Sequence, residues 1–137
     1  MRIAFGTDEV TPVTDGVVAH LRDLGHEVAV VAPGEEWPEV GRGVGEAVAA
    51  GGADRGVVCC WTGTGVAIAA SKVPGIRAAL CGDAETARGA RRWNDANVVA
   101  LGLRLTSAVV AVEVVDAFLA TDPDPEELPA VARLEGN

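Results

Sequence analysis

Five short apolar runs, Arg2–Thr7, Glu27–Val31, Arg55–Cys60, Ile76–Cys81 and Asn97–Gly102, alternate along the chain with stretches whose apolar residues recur at helical spacing. Strands that are apolar on both faces need cover on both faces. Alternation with helices therefore implies an α/β fold, a Rossmann-like three-layer αβα sandwich around a five-stranded parallel sheet. A chain of 137 residues holds one such sheet and is too short for an eight-unit barrel, so residues 1–137 are expected to form one domain, with 121–137 as a C-terminal tail. A hydrophobic fraction of 49% and mean hydropathy of +0.25 are those of a chain that builds a core rather than of a disordered one.

Local signals place the helices. Thr11-Pro12 offers an N-cap and a proline at the first helical position, with Val13, Val17, Leu21 and Leu24 following and Gly25 as the stop. A weaker helix carries Val40, Val44 and Val48 on one face, interrupted by Gly41, Gly43 and Gly45. Gly65–Lys72, Ala84–Trp93 and Ser107–Ala120 complete the set, and a short Leu128–Leu134 segment follows a proline-rich acidic stretch.

Charge and cysteine usage exclude several classes. With 20 acidic and 11 basic residues the net charge is −9, which repels nucleic acid and anionic membranes, so neither is an expected partner. No apolar run is long enough to cross a bilayer. The start MRIAFGTDEV lacks the pattern of a secretion signal, and a cytoplasmic location is expected. Cys59 and Cys60 are adjacent and point to opposite faces of a strand, so reduced thiols are the expectation. Two histidines and no paired cysteine motif leave no basis for a metal site, and no cofactor is expected.

In an open α/β sheet the ligand site lies at the carboxyl ends of the strands. That rule selects Asp8 and Glu9, Cys60–Gly65, and Gly82-Asp83. In Cys60-Trp61-Thr62-Gly63-Thr64-Gly65 a strand ends, glycines free the backbone to turn, and a helix begins. Its exposed N–H groups favour anions and would favour a thiolate. A buried cysteine beside an ordinary strand-to-helix turn would carry the same letters. The segment lacks the arginine of a phosphatase loop, the Gly-Lys-Ser/Thr of a nucleotide-binding loop and the acceptor aspartate of a response regulator. Trp37, Trp61 and Trp93 all fall near strand termini, where together they would make a partly apolar pocket.

The order Gly6-Thr7-Asp8, Trp37-Pro38, Cys60–Gly65, Ile68–Lys72, Gly75–Ala78, Asn94–Val98 and Leu101–Arg104 resembles the ribose-5-phosphate isomerase B / galactose-6-phosphate isomerase (RpiB/LacAB) family over nearly the whole chain. The resemblance implies strand order 2-1-3-4-5 and a homodimer, or a dimer of dimers, whose sites use both subunits. It also implies aldose–ketose isomerisation of a sugar or sugar phosphate through a cis-enediolate, with Cys60 moving the proton. Asp8 and Thr62 match residues handling the ring and hydroxyls. Glu9, Trp37, Trp61, Gly63, Thr64, Gly65, Trp93, Asn94, Arg104 and Arg133 are the candidate substrate-binding positions.

The departures are chemical. Glu9 and Trp93 stand where the family has histidines, Trp37 where it has tyrosine, Trp61 where it has glycine, and Pro129 where it has the first of two phosphate-binding arginines. A carboxylate ~4 Å from a phosphate at an effective dielectric of about 20 repels it by several kcal/mol before screening. A lost charge-assisted contact forfeits a further ~1.5–3 kcal/mol. The expected function is therefore an isomerase for a substrate other than ribose 5-phosphate. The alternative is a non-catalytic paralogue that binds a sugar or metabolite.

Overall fold

The computed structural model describes residues 1–136. Its five strands, β1 (Arg2–Thr7), β2 (Glu27–Val30), β3 (Arg55–Cys60), β4 (Ala78–Leu80) and β5 (Val98–Gly102), form one parallel sheet. The helices are α1 (Pro12–Asp23), α2 (Trp37–Ala49), α3 (Thr64–Ser71), α4 (Ala84–Asn94), α5 (Ala108–Ala120) and α6 (Leu128–Leu134), the last preceded by a 3₁₀ turn at Pro125–Glu127. The expected α/β sandwich is what the chain forms.

The strand order differs from the expectation at one place. It is β2-β1-β3-β5-β4, so β5 and not β4 lies beside β3. Burial explains the exchange. Val98, Val99, Ala100, Leu101 and Gly102 are all buried, as an inner strand requires, whereas β4 is three residues long and partly exposed along its length. A short strand tolerates an edge, and a fully apolar one does not. The expected Ile76–Cys81 run is only half strand: Arg77 at its start turns its guanidinium to the Asp95 carbonyl, with Glu135 also within reach.

Side-chain alternation sends the two faces of each strand into separate cores. One holds Ile3, Phe5, Val57, Cys59, Val99 and Leu101 under α1, α4 and α5. The other holds Ala4, Val58, Cys60, Val98 and Ala100 under α2 and α3. Thr11 and Thr14 cap α1 reciprocally, as the Thr-Pro signal anticipates. The glycines that weaken α2 on paper let it sit tightly on α3: a Cβ at Gly41 would lie 2.6 Å from Ala69 Cβ and 2.7 Å from the Val66 carbonyl oxygen. Helix contact replaces the lost intrinsic propensity.

At the carboxyl edge two backbones meet. A Cβ on Gly102 would stand 2.6 Å from the Thr62 carbonyl oxygen, and one on Gly63 would stand 2.8 Å from the Gly102 nitrogen. Gly102→Ala is expected to cost roughly 2–3 kcal/mol, read as a lowered urea midpoint, because backbone and not a flexible side chain must move.

Candidate functional site

The sheet reverses its winding between β1 and β3, and the crevice there carries the strongest candidates. Thr7 pairs with Cys59 across β1–β3, so Asp8 leaves β1 where β3 is ending at Cys60. Cys60 in turn pairs with Gly102 of β5. The Asp8-Glu9 turn is held from below: the buried Thr7 hydroxyl donates to the Glu9 carbonyl at 2.7 Å and accepts from the Glu9 N–H at 3.3 Å. Both carboxylate residues are exposed at the rim.

Beyond Cys60 the chain turns at Gly63, whose φ of 76° is left-handed, and enters α3 with no side chain capping its first turn. The leading N–H groups of α3 therefore face the crevice without an intrahelical partner. The loop is pinned from β5: Leu103 N–H donates to the Cys60 carbonyl at 3.0 Å and Arg104 N–H to the Trp61 carbonyl at 2.8 Å. The Thr62 and Thr64 hydroxyls are hydrogen-bonded to each other at 2.6 Å. The Trp37 ring lies against Gly65, where a Cβ would meet its Cε3 at 2.9 Å. It thus covers Gly65 in the first turn of α3, while Thr64 stays exposed.

The three thiols have different surroundings. Cys60 is 5% exposed and lies on the α2–α3 side of the sheet. Cys59 is fully buried on the other side, and burial first, then Cys60 and Asp8, pushes its thiol far above the usual range. Cys81 is pushed up to about 11 by burial and by Asp83. Asp83 itself is held below its ordinary value because it accepts the Thr86 backbone N–H and hydroxyl at the start of α4. All three cysteines are free.

A cleft of about 270 Å³ adjoins the loop, lined by Trp61, Thr62, Leu80, Arg104 and Leu105 among others. Asp8, Glu9, Trp37, Cys60, Trp61, Thr62, Gly63, Thr64, Gly65 and Arg104 thus share the carboxyl edge. Leu80, Leu105 and Thr106 belong to the cleft and escape the sequence reading. The available signal was Leu105, an apolar residue in the loop directly after an inner strand, which proves 90% exposed.

Three candidates are elsewhere in the same chain. Helix α4 starts at the carboxyl edge and runs back for 11 residues, about 16 Å, so Asn94 ends at the amino edge. Trp93 folds back onto Gly89 and flanks β4. Arg133 lies on α6 beside Glu135, which pairs with Arg77 at 2.8 Å near the start of β4. The three tryptophans therefore do not converge within one chain. Both histidines are also remote from Cys60. His20 Nε2 is 2.7 Å from Asp116 Oδ1, between α1 and α5, and His26 is 3.0 Å from the Met1 amino group at the amino edge.

Among the described residues no cluster of three or more His, Cys, Asp or Glu side chains could hold a metal, and no helix is long and apolar enough to cross a membrane. What the edge offers is a thiol at a strand end, nearby carboxylates, free N–H donors and a pair of coupled hydroxyls. Such a set can move a proton next to a carbonyl and hold the oxyanion that forms. Burial of Cys81 favours its neutral form in the folded chain. As pH rises past 9.0 the unfolded chain ionises first, so stability falls between pH 9.0 and about 11. Urea midpoints across that window should decline in the native protein and decline less in Cys81→Ala.

A family profile described as Ribose/Galactose Isomerase matches residues 3–134. Ribose-5-phosphate isomerase B of Escherichia coli K12 is 39% identical over 123 residues, spanning 86% of this chain and 83% of that protein. Galactose-6-phosphate isomerase subunit LacB of Clostridium acetobutylicum is 38% identical over 124 residues, spanning 87% of this chain and 72% of that protein. Among solved structures, ribose-5-phosphate isomerase B of Clostridium thermocellum superposes with a TM-score of 0.93 at 36% identity, covering 99% of this chain and 96% of that one. With matches of this extent in sequence and in backbone, the chain belongs to the RpiB/LacAB family of sugar-phosphate isomerases.

Proposed function

We propose that this protein is an aldose–ketose isomerase that works through a cis-enediolate with Cys60 as base, on a substrate other than ribose 5-phosphate. The observation that carries the reading is the placement of Cys60 at the end of β3, paired with Gly102 of β5 and just before the uncapped start of α3.

The Cys60 thiolate takes the proton from C2 of an aldose. The C–H electron pair becomes the C1–C2 double bond, and the carbonyl pair moves onto O1, within reach of the first N–H groups of α3. A proton passes from O2 to O1, and Sγ returns its proton to C1, leaving the carbonyl at C2. Nothing is gained or lost, as an isomerisation requires. Thr62, fixed by Thr64, contacts a substrate hydroxyl, and Asp8 accepts another. Trp61 and the rest of the cleft cover the apolar side of the carbon chain.

The change of substrate rests on charge. Asp8, Glu9 and Asp83 bring carboxylates to this edge, where Arg104 supplies a guanidinium. A dianionic phosphate placed near Glu9 is disfavoured there. Trp93, Asn94 and Arg133 complete a site only when a second copy supplies them, and we read the active form as a homodimer on that ground.

One observation favours a non-catalytic binding paralogue instead: neither histidine is at this edge. Solvent-deuterium incorporation at C2 decides between the two. Across a panel of free and phosphorylated aldoses and ketoses, the native protein is expected to exchange at least one compound and Cys60→Ala none. Exchange by neither, from folded dimeric protein, would establish the binding paralogue. Thr64→Val is expected to lower kcat roughly five- to tenfold with little change in KM, and Thr64→Ser to restore most of it, since the lost hydrogen bond orients Thr62 in the transition state.

A further inference from the structure

Moving a carbonyl from C1 to C2 takes two proton transfers, one between the carbons and one between the oxygens. Cys60 serves the first. While O1 carries the negative charge and O2 keeps its proton, the enediolate can collapse only to the aldose it came from. The ketose forms once the proton on O2 has reached O1, and that transfer calls for a group that accepts from one oxygen and donates to the other. An ionised carboxylate has to take the proton on and then release it. A hydroxyl gives one proton as it receives another.

Two hydroxyls at the crevice are arranged for this. Thr7, Thr14 and Thr121 direct their hydroxyls to backbone carbonyls, a common local use of threonine. Thr62 and Thr64 direct theirs to each other at 2.6 Å, and among the described residues neither has another protein partner. The pairing follows from Gly63, whose left-handed φ of 76° turns the chain between them and whose packing on the Leu101 and Gly102 backbone fixes that turn. Both threonines are exposed at the carboxyl edge, Thr62 lining the cleft and Thr64 opening α3. When one hydroxyl donates to the other, the pair keeps a lone pair at one end and a hydrogen at the other. Its ends stand one hydrogen-bond length apart, as do the two oxygens of a cis-enediolate.

From this we infer that Thr62 and Thr64 form a proton relay between O2 and O1 of the enediolate, which makes Thr64 a catalytic residue beside Cys60. The inference rests on the isomerase reading and deepens it. O2–H gives its proton to Thr62 Oγ1 as Thr62 gives its own to Thr64 Oγ1 and Thr64 gives its own to O1. Three O–H bonds break and three form, and both threonines end as neutral hydroxyls. The negative charge passes from O1 to O2, whose electron pair becomes the ketose carbonyl as C1 takes the proton from Cys60.

Exchange and conversion separate the two transfers. Deuterium exchange at C2 of an aldose needs Cys60 chemistry alone, whereas appearance of the ketose also needs the relay. Both are followed in deuterium oxide on whichever aldose of the free and phosphorylated panel the native protein exchanges fastest. In Thr64→Val the ratio of exchange to conversion is expected to rise roughly five- to tenfold, and Thr64→Ser to return it to the native ratio. Asp8→Asn is expected to lower exchange and conversion in the same proportion. A ratio unchanged in Thr64→Val, or one raised by Asp8→Asn instead, overturns the relay while leaving Cys60 chemistry standing. Native protein that exchanges C2 and forms no ketose does the same. Exchange by the native protein on no compound at all overturns the isomerase reading and the relay with it.

Discussion

The rest of the site depends on a backbone-to-backbone contact. Where Thr62 and Gly63 leave β3, they pass so near Leu101 and Gly102 at the end of β5 that neither glycine has room for a side chain. That approach sets the entry angle of α3 and aims its first N–H groups at the crevice. It also orders the sheet, because only an inner strand next to β3 can press on the loop in this way. The hydrogen bonds from Leu103 and Arg104 to the Cys60 and Trp61 carbonyls continue the same seam past the end of the ladder. Helix, loop and sheet are thereby fixed to one another before any substrate arrives, which is the condition for electrostatic stabilisation without reorganisation.

Most of this was legible in the letters, for reasons that differ by element. The five strands announce themselves because a strand covered on both faces can carry no alternation. The Cys60–Gly65 turn is legible because two glycines at a strand end have few other uses. The order of the last two strands was not. Local pattern says that β4 and β5 are both apolar, and only the fact that β5 is buried at every residue while β4 is half-exposed decides which is inner. The candidates Asn94 and Arg133 follow from likeness to other chains, and the paths of α4 and α6 are what show them away from Cys60 in their own chain. Leu105 and Leu80 escaped because an exposed apolar loop residue has no periodicity to betray it.

The charge pattern and the fold answer different questions. The net charge of −9 is spread over the surface and governs solubility and the company the protein keeps. Glu9 and Arg104 are two residues of opposite charge at the carboxyl edge, and their effect is confined to that edge. On the isomerase reading proposed above, a scaffold of this family keeps one reaction while its substrate changes, with the chemistry in the inner residues and recognition in the outer ones.

The adjacent cysteines have a consequence for damage. Cys60 lies on one side of the sheet, and Cys59 and Cys81 lie in the core on the other, so the sheet stands as a wall between the Cys60 thiol and both of its potential rescuers. If Cys60 is oxidised to a sulfenic acid, no internal thiol can reach it to form a disulfide and protect it from further oxidation. Repair has to come from a small thiol diffusing in through the crevice. A ligand held in that crevice would shield Cys60 from peroxide and from reductant alike, and an empty crevice leaves it open to both.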